Sequence, residues 1–230
     1  MRIYTDDYIS KYIRVLQPPY DGTLNDIEEE ALDNNVPIVP HETARFLSVI
    51  LSMQKPENIL EIGTAVGFSA SLMSRYLKEG GHITTIDRYD IMLKDAKKNI
   101  ARMGIEDRVT LLEGDANDIL PTLTGPYDVI FMDAGKGQYM NFLPHCLRLL
   151  KVGGILIADD ILQGGYIAQS RYTVERRQRT IHKRLRNFLW EITHNPILET
   201  CLLPVGDGIA LCYKKADYDP SEKGEYDYEY

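Results

Sequence analysis

Cysteine is scarce in this chain. Cys146, Cys201 and Cys212 are odd in number and lack metal-ligand spacing. That argues against a disulfide framework or a structural zinc site and favours a reduced, cytoplasmic compartment. No uninterrupted apolar run approaches the length of a membrane span, and the first residues, MRIYTDDYIS, contain no apolar h-region, so no membrane partner is expected. An excess of positive charge is missing too. The 26 Lys and Arg stand against 34 Asp and Glu, a formal net charge of −8, so any nucleic-acid contact would need a local basic patch. There is no GxGxxG fingerprint, no Walker lysine and no internal repeat. What is present is ordinary for a globular protein: 230 residues, 44% hydrophobic and 26% charged. That suits one large α/β domain, or at most two small ones, with a substantial core.

Residues 3–16 carry Ile3, Tyr8, Tyr12, Ile13, Val15 and Leu16 at helical spacing, stopped by Pro18-Pro19. A second, acid-rich helix is expected over 24–34, and VPIVPHET (36–43) leads into a third over 44–53. From there short apolar segments alternate with helical stretches: NILEI (58–62), HITTID (82–87), RVTLLEG (108–114), YDVIFMD (127–133) and GILIADD (154–160). Each spacer is long enough for a crossover, so these strands should pair in parallel with right-handed connections. ETCLLPV and GIALCYK flank Gly206-Asp207-Gly208, a tight-turn signature. They predict an antiparallel C-terminal hairpin that closes a mostly parallel, seven-stranded sheet. The organisation expected is an N-terminal helical extension over 1–35, a main α/β domain over 36–215 and an acidic tail over 216–230. The end of that tail, KGEYDYEY, should be loosely packed or disordered.

EIGTAVGFSAS (61–71) would join the first strand to a helix. Gly63 and Gly67 let the backbone turn sharply and approach a ligand, although a tight strand–helix turn would ask for the same residues. Asp87 ends the second strand 24 residues after Gly63, where a doubly wound fold offers a carboxylate to ribose hydroxyls. No strongly basic group follows Gly63 to hold a pyrophosphate. A nucleoside without phosphates is therefore the better ligand, and S-adenosylmethionine fits, with its adenine, ribose and zwitterionic sulfonium tail. Gly114-Asp115-Ala116 would lie beside that ribose and bond the adenine amine, or else form a solvated turn. Ser69 would cap the first helix, the simpler role, or reach the methionyl carboxylate.

Asp133 ends the fourth parallel strand and Asp159-Asp160 the fifth. Neighbouring strands lie roughly 5 Å apart, so three carboxylates would converge at the carboxyl edge of the sheet, where such folds bind ligands. Charges so close repel unless protonated or neutralised. A hard divalent ion with oxygen ligands, Mg²⁺ first, would neutralise them, while Asp160 has the alternative of facing solvent as a helix cap. Lys136, in FMDAGKGQY (131–139), stands one short turn beyond Asp133. It would reach a substrate oxygen held by the metal and accept or stabilise the departing proton. The alternative is an ordinary exposed lysine.

ILEIGTAVGFSA, FMDAGKGQY, the Asp159-Asp160 pair followed by ILQGG, and PVGDGIAL together resemble the metal-dependent catechol/caffeoyl-CoA type of O-methyltransferase, over about residues 36–215. Within that family they are most similar to the bacterial branch that methylates tRNA 5-hydroxyuridine to 5-methoxyuridine at the wobble position. The resemblance implies a Rossmann-like S-adenosylmethionine-dependent methyltransferase fold. It implies cofactor contacts from Val39, Ser69, Asp87, Asp115 and Asp133, metal ligation by Asp133, Asp159 and Asp160, and a homodimer. One residue departs from the pattern, because the family usually has Asn where this chain has Asp160. Three ligand carboxylates on one divalent cation leave excess negative charge, which should tighten metal binding and weaken its Lewis acidity.

Beyond these motifs lies SRYTVERRQRTIHKRLRNF (170–188). Between 171 and 186 it places Arg171, Arg176, Arg177, Arg179, Lys183, Arg184 and Arg186 against one acid, Glu175. Such segregation in an acidic chain predicts a phosphate-binding patch beside the site, with Arg171, Arg176, Arg177, Arg179 and Lys183 as RNA contacts. A solvated amphipathic helix burying Ile181, Leu185 and Leu189 would use the same residues. The activity expected is methyl transfer from S-adenosylmethionine to the oxygen of a tRNA 5-hydroxyuridine. A small catechol or a caffeoyl-CoA-like acceptor is the alternative, the phosphates of the latter also attracting arginines. A non-catalytic S-adenosylmethionine-binding protein is a third reading, which Asp133, Lys136 and Asp159 disfavour.

Overall fold

The structure is a computed structural model and describes residues 7–219. Three helices come first: α1 (Asp7–Leu16), α2 (Thr23–Asp33) and α3 (His41–Gln54). Strands and helices then alternate: β1 (Asn58–Ile62), α4 (Phe68–Ser74), β2 (His82–Asp87), α5 (Asp90–Met103), β3 (Val109–Glu113), α6 (Ala116–Ile119), β4 (Tyr127–Met132), α7 (Tyr139–Leu149) and β5 (Leu150–Ala158). The long helix α8 (Arg179–His194) and the strands β6 (Leu198–Leu203) and β7 (Ile209–Lys214) complete the chain. Single 3₁₀ turns at Lys136–Gln138 and Arg176–Gln178 precede α7 and α8. Among the described residues no helix is long and apolar enough to cross a membrane.

The sheet order is β3-β2-β1-β4-β5-β7-β6. The first five strands pair in parallel, and β7 lies antiparallel between β5 and β6. This is the seven-stranded, mostly parallel Rossmann-like sheet expected from the sequence. Its apolar strands are explained by burial on both faces, which leaves no side for polar residues. On one face Leu60, Ile130 and Leu156 pack under α7 and α8, against Phe142, Leu185 and Phe188. On the other, Ile59, Val129 and Ile157 meet Leu24, Leu47 and Phe68 of α2, α3 and α4.

Several boundaries differ from expectation. β5 starts at Leu150, not 154, because the chain pairs Leu150 with Tyr127 before a register shift absorbs Gly153-Gly154. α3 starts at His41, with Pro40 at its N-cap. The link between β6 and β7 is the five-residue stretch 204–208, longer than the expected turn at Gly206-Asp207-Gly208, and is closed by Gly208 N donating to Val205 O at 2.8 Å. α8 buries His182, Leu185, Phe188 and Ile192, so its inner face is rotated from the one expected, and Ile181 and Leu189 are only half-buried. Ile3 and the tail segment KGEYDYEY lie outside the described residues.

The chain runs outward from β1 to β3, then crosses back to β4 beside β1 and runs outward again to β5. Above the carboxyl ends of β1 and β4, where the direction reverses, a doubly wound sheet leaves its ligand crevice.

Candidate active site

A cavity of about 940 Å³ opens at that reversal. Gly63, Asp87, Asp115 and Asp133 line it from four adjacent strand ends, with Val39 ahead of α3 and Ser69 on α4. Ala116, Asp159 and Asp160 also reach its wall. The sequence-predicted cofactor residues are thus gathered in one place, all but Gly67, which lies behind the turn.

The glycines are accounted for by chain packing. Gly63 has φ +108, and a Cβ there would stand 2.1 Å from the Asp133 carbonyl oxygen. Only glycine lets the ends of β1 and β4 approach so closely. Gly67 is the α4 N-cap at φ +79, and its Cβ would press on Ala96 at 3.3 Å. The side-chain cap expected of Ser69 is not formed. Ser69 is the second residue of α4 and sits over the carboxyl of Glu61, favouring that group's ionised form.

Glu61 itself was not singled out from the sequence. It is fully buried. Its Oε2 accepts from Thr85 Oγ1 at 2.5 Å, while Oε1 has no hydrogen-bond partner among the described residues. Burial, helped by the charges of Asp133 and Asp87, pushes this carboxyl up to about 7.

Asp87 is pinned by three backbone amides, Ala65 N at 2.8 Å, Arg88 N at 2.7 Å and Tyr89 N at 3.0 Å. The first strand–helix turn and the end of β2 are thereby locked to one carboxylate. Asp115 caps α6 by accepting from Asn117 N at 2.9 Å and takes Arg88 Nη1 at 2.8 Å. The Asn117 bonds first, then Arg88, hold its carboxyl below the usual range. It is therefore more than a solvated turn.

The acids of β4 and β5 do converge. Asp159 is 1% exposed. Burial, then Asp133 and Asp160, push its carboxyl well above the ordinary value. Asp133, half-buried in the cleft, is raised to about 7 by desolvation first and by Asp160 second. Tyr139 ties the two strand ends together, its hydroxyl lying 2.9 Å from Asp159 O and 3.2 Å from Met132 O. Asp160 takes the left-handed conformation, φ 59, and its Oδ2 accepts from Lys136 Nζ at 2.8 Å. The three-carboxylate metal set expected from the sequence is therefore not assembled. Among the described residues no three His, Cys, Asp or Glu side chains are gathered to hold an ion, and Asp160 is turned to the lysine. The remaining pair suits a hard cation. Asp133 and Asp159 offer oxygens only, and the repulsion and desolvation that raise both are what a divalent ion would relieve.

Lys136 is half-buried on the turn before α7, so it is not the exposed lysine of the alternative reading. Besides Asp160 it faces Asp207 Oδ2 at 3.6 Å. Asp207 was read from the sequence only as the middle of a turn. Its signal was a lone acid between two glycines in one of the four characteristic motifs.

The basic cluster adjoins this turn. Arg184 Nη1 donates to Gly137 O at 3.3 Å. Arg171, Arg176, Arg177 and Lys183 are exposed, Arg177 pairing with its neighbour Glu175. Arg179 is turned inward, donating to Val174 O at 3.0 Å and Tyr172 O at 3.4 Å, which makes it a brace for the segment.

The sequence model of the family described as O-methyltransferase matches residues 20–215. The catechol O-methyltransferase of Niastella koreensis is 31% identical over 172 residues, 73% of this chain and 77% of that protein. Caffeoyl-CoA O-methyltransferase 2 of Populus trichocarpa is 30% identical over 192 residues, 77% of this chain and 75% of that protein. The solved O-methyltransferase of Bacillus cereus in complex with SAH has a TM-score of 0.80 at 26% identity, covering 90% of this chain and 97% of that one. With the fold, the cleft and these likenesses in agreement, the chain belongs to the O-methyltransferase family and is an S-adenosylmethionine-dependent O-methyltransferase, not a non-catalytic binder of that cofactor.

Proposed function

We propose that this enzyme methylates the 5-hydroxyl oxygen of a 5-hydroxyuridine in tRNA, with Mg²⁺ held by Asp133 and Asp159. One observation carries the acceptor assignment: the exposed cations Arg171, Arg176, Arg177 and Lys183 share the basic segment 171–186 with Arg184, which bonds Gly137 next to Lys136, in a chain of net charge −8. A phosphate backbone following that surface would bring a nucleobase to the mouth of the cleft.

In this reading Asp87 and Asp115 orient the nucleoside of the cofactor, and Val39, Gly63, Ser69 and Ala116 shape the wall around it. A divalent cation supplies, when bound, Lewis acidity that favours the ionised form of the acceptor hydroxyl. Lys136 faces the acceptor and its ammonium stabilises the acceptor oxygen once the hydroxyl proton has left to solvent, as the new O–CH₃ bond forms and the S–CH₃ bond breaks, releasing S-adenosylhomocysteine. Most of the rate comes from holding the two reactants in line. The enzyme is proposed to act as a homodimer in the cytoplasm.

A second reading has its own support in the activities for which the relatives from Niastella and Populus are named. There the acceptor is a catechol or a caffeoyl-CoA, whose phosphates would use the same arginines. The test is nucleoside analysis of hydroxyuridine-containing tRNA before and after incubation with the protein, S-adenosylmethionine and Mg²⁺. A simple catechol and caffeoyl-CoA are assayed in parallel. Conversion of the tRNA at the higher kcat/KM supports the RNA reading. Turnover of caffeoyl-CoA or the catechol with the tRNA untouched replaces it by the second.

A further inference from the structure

Gly206-Asp207-Gly208 does more than join β6 to β7. A Cβ at Gly208 (φ +90) would stand 2.3 Å from Leu162 Cγ, and one at Gly206 (φ +59) would stand 2.6 Å from Thr43 Oγ1. The turn is thus wedged between the start of α3 and the segment that follows Asp160. Its central residue points inward and is 7% exposed. A turn at a sheet edge has no need of a buried carboxylate, whose burial costs free energy unless it is paired. Asp207 is well provided for. Oδ1 accepts from Gly164 N at 2.7 Å, Oδ2 faces Lys136 Nζ at 3.6 Å, and its backbone oxygen accepts from Leu162 N at 2.9 Å.

We infer that Asp207 is the positioning residue for Lys136. Lys136 has two carboxylate neighbours with different freedom. Asp160 is half-buried and lies on the edge of the cleft beside Asp133 and Asp159, so it is the one that a cation or an acceptor can draw away. Asp207 is held at its other oxygen by the Gly164 amide and on both sides by glycines packed against neighbouring atoms. It keeps the ammonium in place when Asp160 turns elsewhere. Through Gly164 the same carboxylate fixes the Gln163–Ala168 segment next to the lysine, so the amine and the adjoining wall are set by one side chain. This inference rests on the role of Lys136 in the proposed reaction.

Asp207→Asn separates the two duties, because an amide oxygen still accepts from Gly164 N while the charge facing Lys136 is removed. Rates are measured with hydroxyuridine-containing tRNA and with a catechol, for Asp207→Asn, Lys136→Met and the double variant. Cofactor affinity is measured by calorimetry. Asp207→Asn should lower kcat about tenfold to a hundredfold, with acceptor KM and cofactor Kd changed by less than about twofold. In the Lys136→Met background the same substitution should change kcat by less than about twofold. An equal loss in both backgrounds, or a wild-type kcat for Asp207→Asn, overturns the inference while leaving the role of Lys136 intact. A wild-type kcat for Lys136→Met removes both. Urea unfolding of the same four proteins reads the pairing without any acceptor. The midpoint shift caused by Asp207→Asn should differ between the two backgrounds, and equal shifts would count against the pairing.

Discussion

Replacing Glu61 by Gln should make the stability of this enzyme less dependent on pH. The carboxyl is fully buried with one oxygen unpartnered, and desolvation first, then neighbouring charge, pushes it up to about 7 from an ordinary 4.5. Between those two values the native chain keeps a proton that the unfolded chain has lost. The native state therefore binds more protons, and unfolding free energy falls as pH rises through that window. Below it both states are protonated and the cost vanishes; above it the cost is complete. A gap of about 2.5 pH units at about 1.36 kcal/mol each amounts to roughly 3 kcal/mol, a large share of the roughly 5–15 kcal/mol that a domain has. Gln keeps the shape and loses the titration. Urea unfolding of both proteins at several values from about pH 5 to about pH 8 should show the difference moving toward the Gln variant by about 2–3 kcal/mol. Asp133 and Asp159 titrate in the same direction, but they are present in both proteins and largely cancel. An amide that lacks a partner would add a constant offset without changing the slope. A difference that stays flat across the range would refute the reasoning and mean that Glu61 is solvated or paired in solution.

Two further outcomes concern the cation and the acceptor. Rigorous chelation should abolish methyl transfer and Mg²⁺ restore it, and Asp159→Ala should lower kcat by about 100-fold or more; undiminished turnover after chelation would remove the cation from the reaction. Replacing Arg176, Arg177 and Lys183 with Glu should weaken tRNA binding and flatten its dependence on salt, by about one unit of log–log slope for each phosphate no longer neutralised. Calorimetric cofactor binding should survive, and an unchanged salt slope would show that the patch is only a solvated helix face.

The strands were legible because burial on both faces writes them as continuous apolar runs. YDVIFM needed no context. The glycines of β5 hid its true start, since Gly153-Gly154 reads as a break unless the bulge opposite Tyr127 is known. Nor does the local sequence say that β7, not β6, lies beside β5. In the site, position was readable and partnership was not. The carboxyl end of a parallel strand is where an acid can face the crevice, which located Asp87, Asp115, Asp133 and Asp159. What each acid bonds depends on residues far along the chain. Arg88 reaches across to Asp115, Glu61 under the first turn takes the influence of Ser69, and the turn containing Asp207 comes back to Lys136.

Asp160 shows how position and charge separate. Its φ of 59 belongs to the left-handed region, where Asn and Asp are the side-chain-bearing residues best tolerated. The backbone thus explains why the Asp of this chain and the Asn that the resemblance implies would fit the same place, differing in charge alone. From the sequence that charge looked like a burden on a cation already facing two carboxylates. In the folded chain it is the nearer counter-charge of Lys136, at 2.8 Å, with Asp207 the farther one. An Asn at this position would leave the lysine to Asp207 alone. The extra carboxylate therefore holds the amine in this conformation, while its charge also bears directly on Asp133 and Asp159, the pair that a cation would relieve.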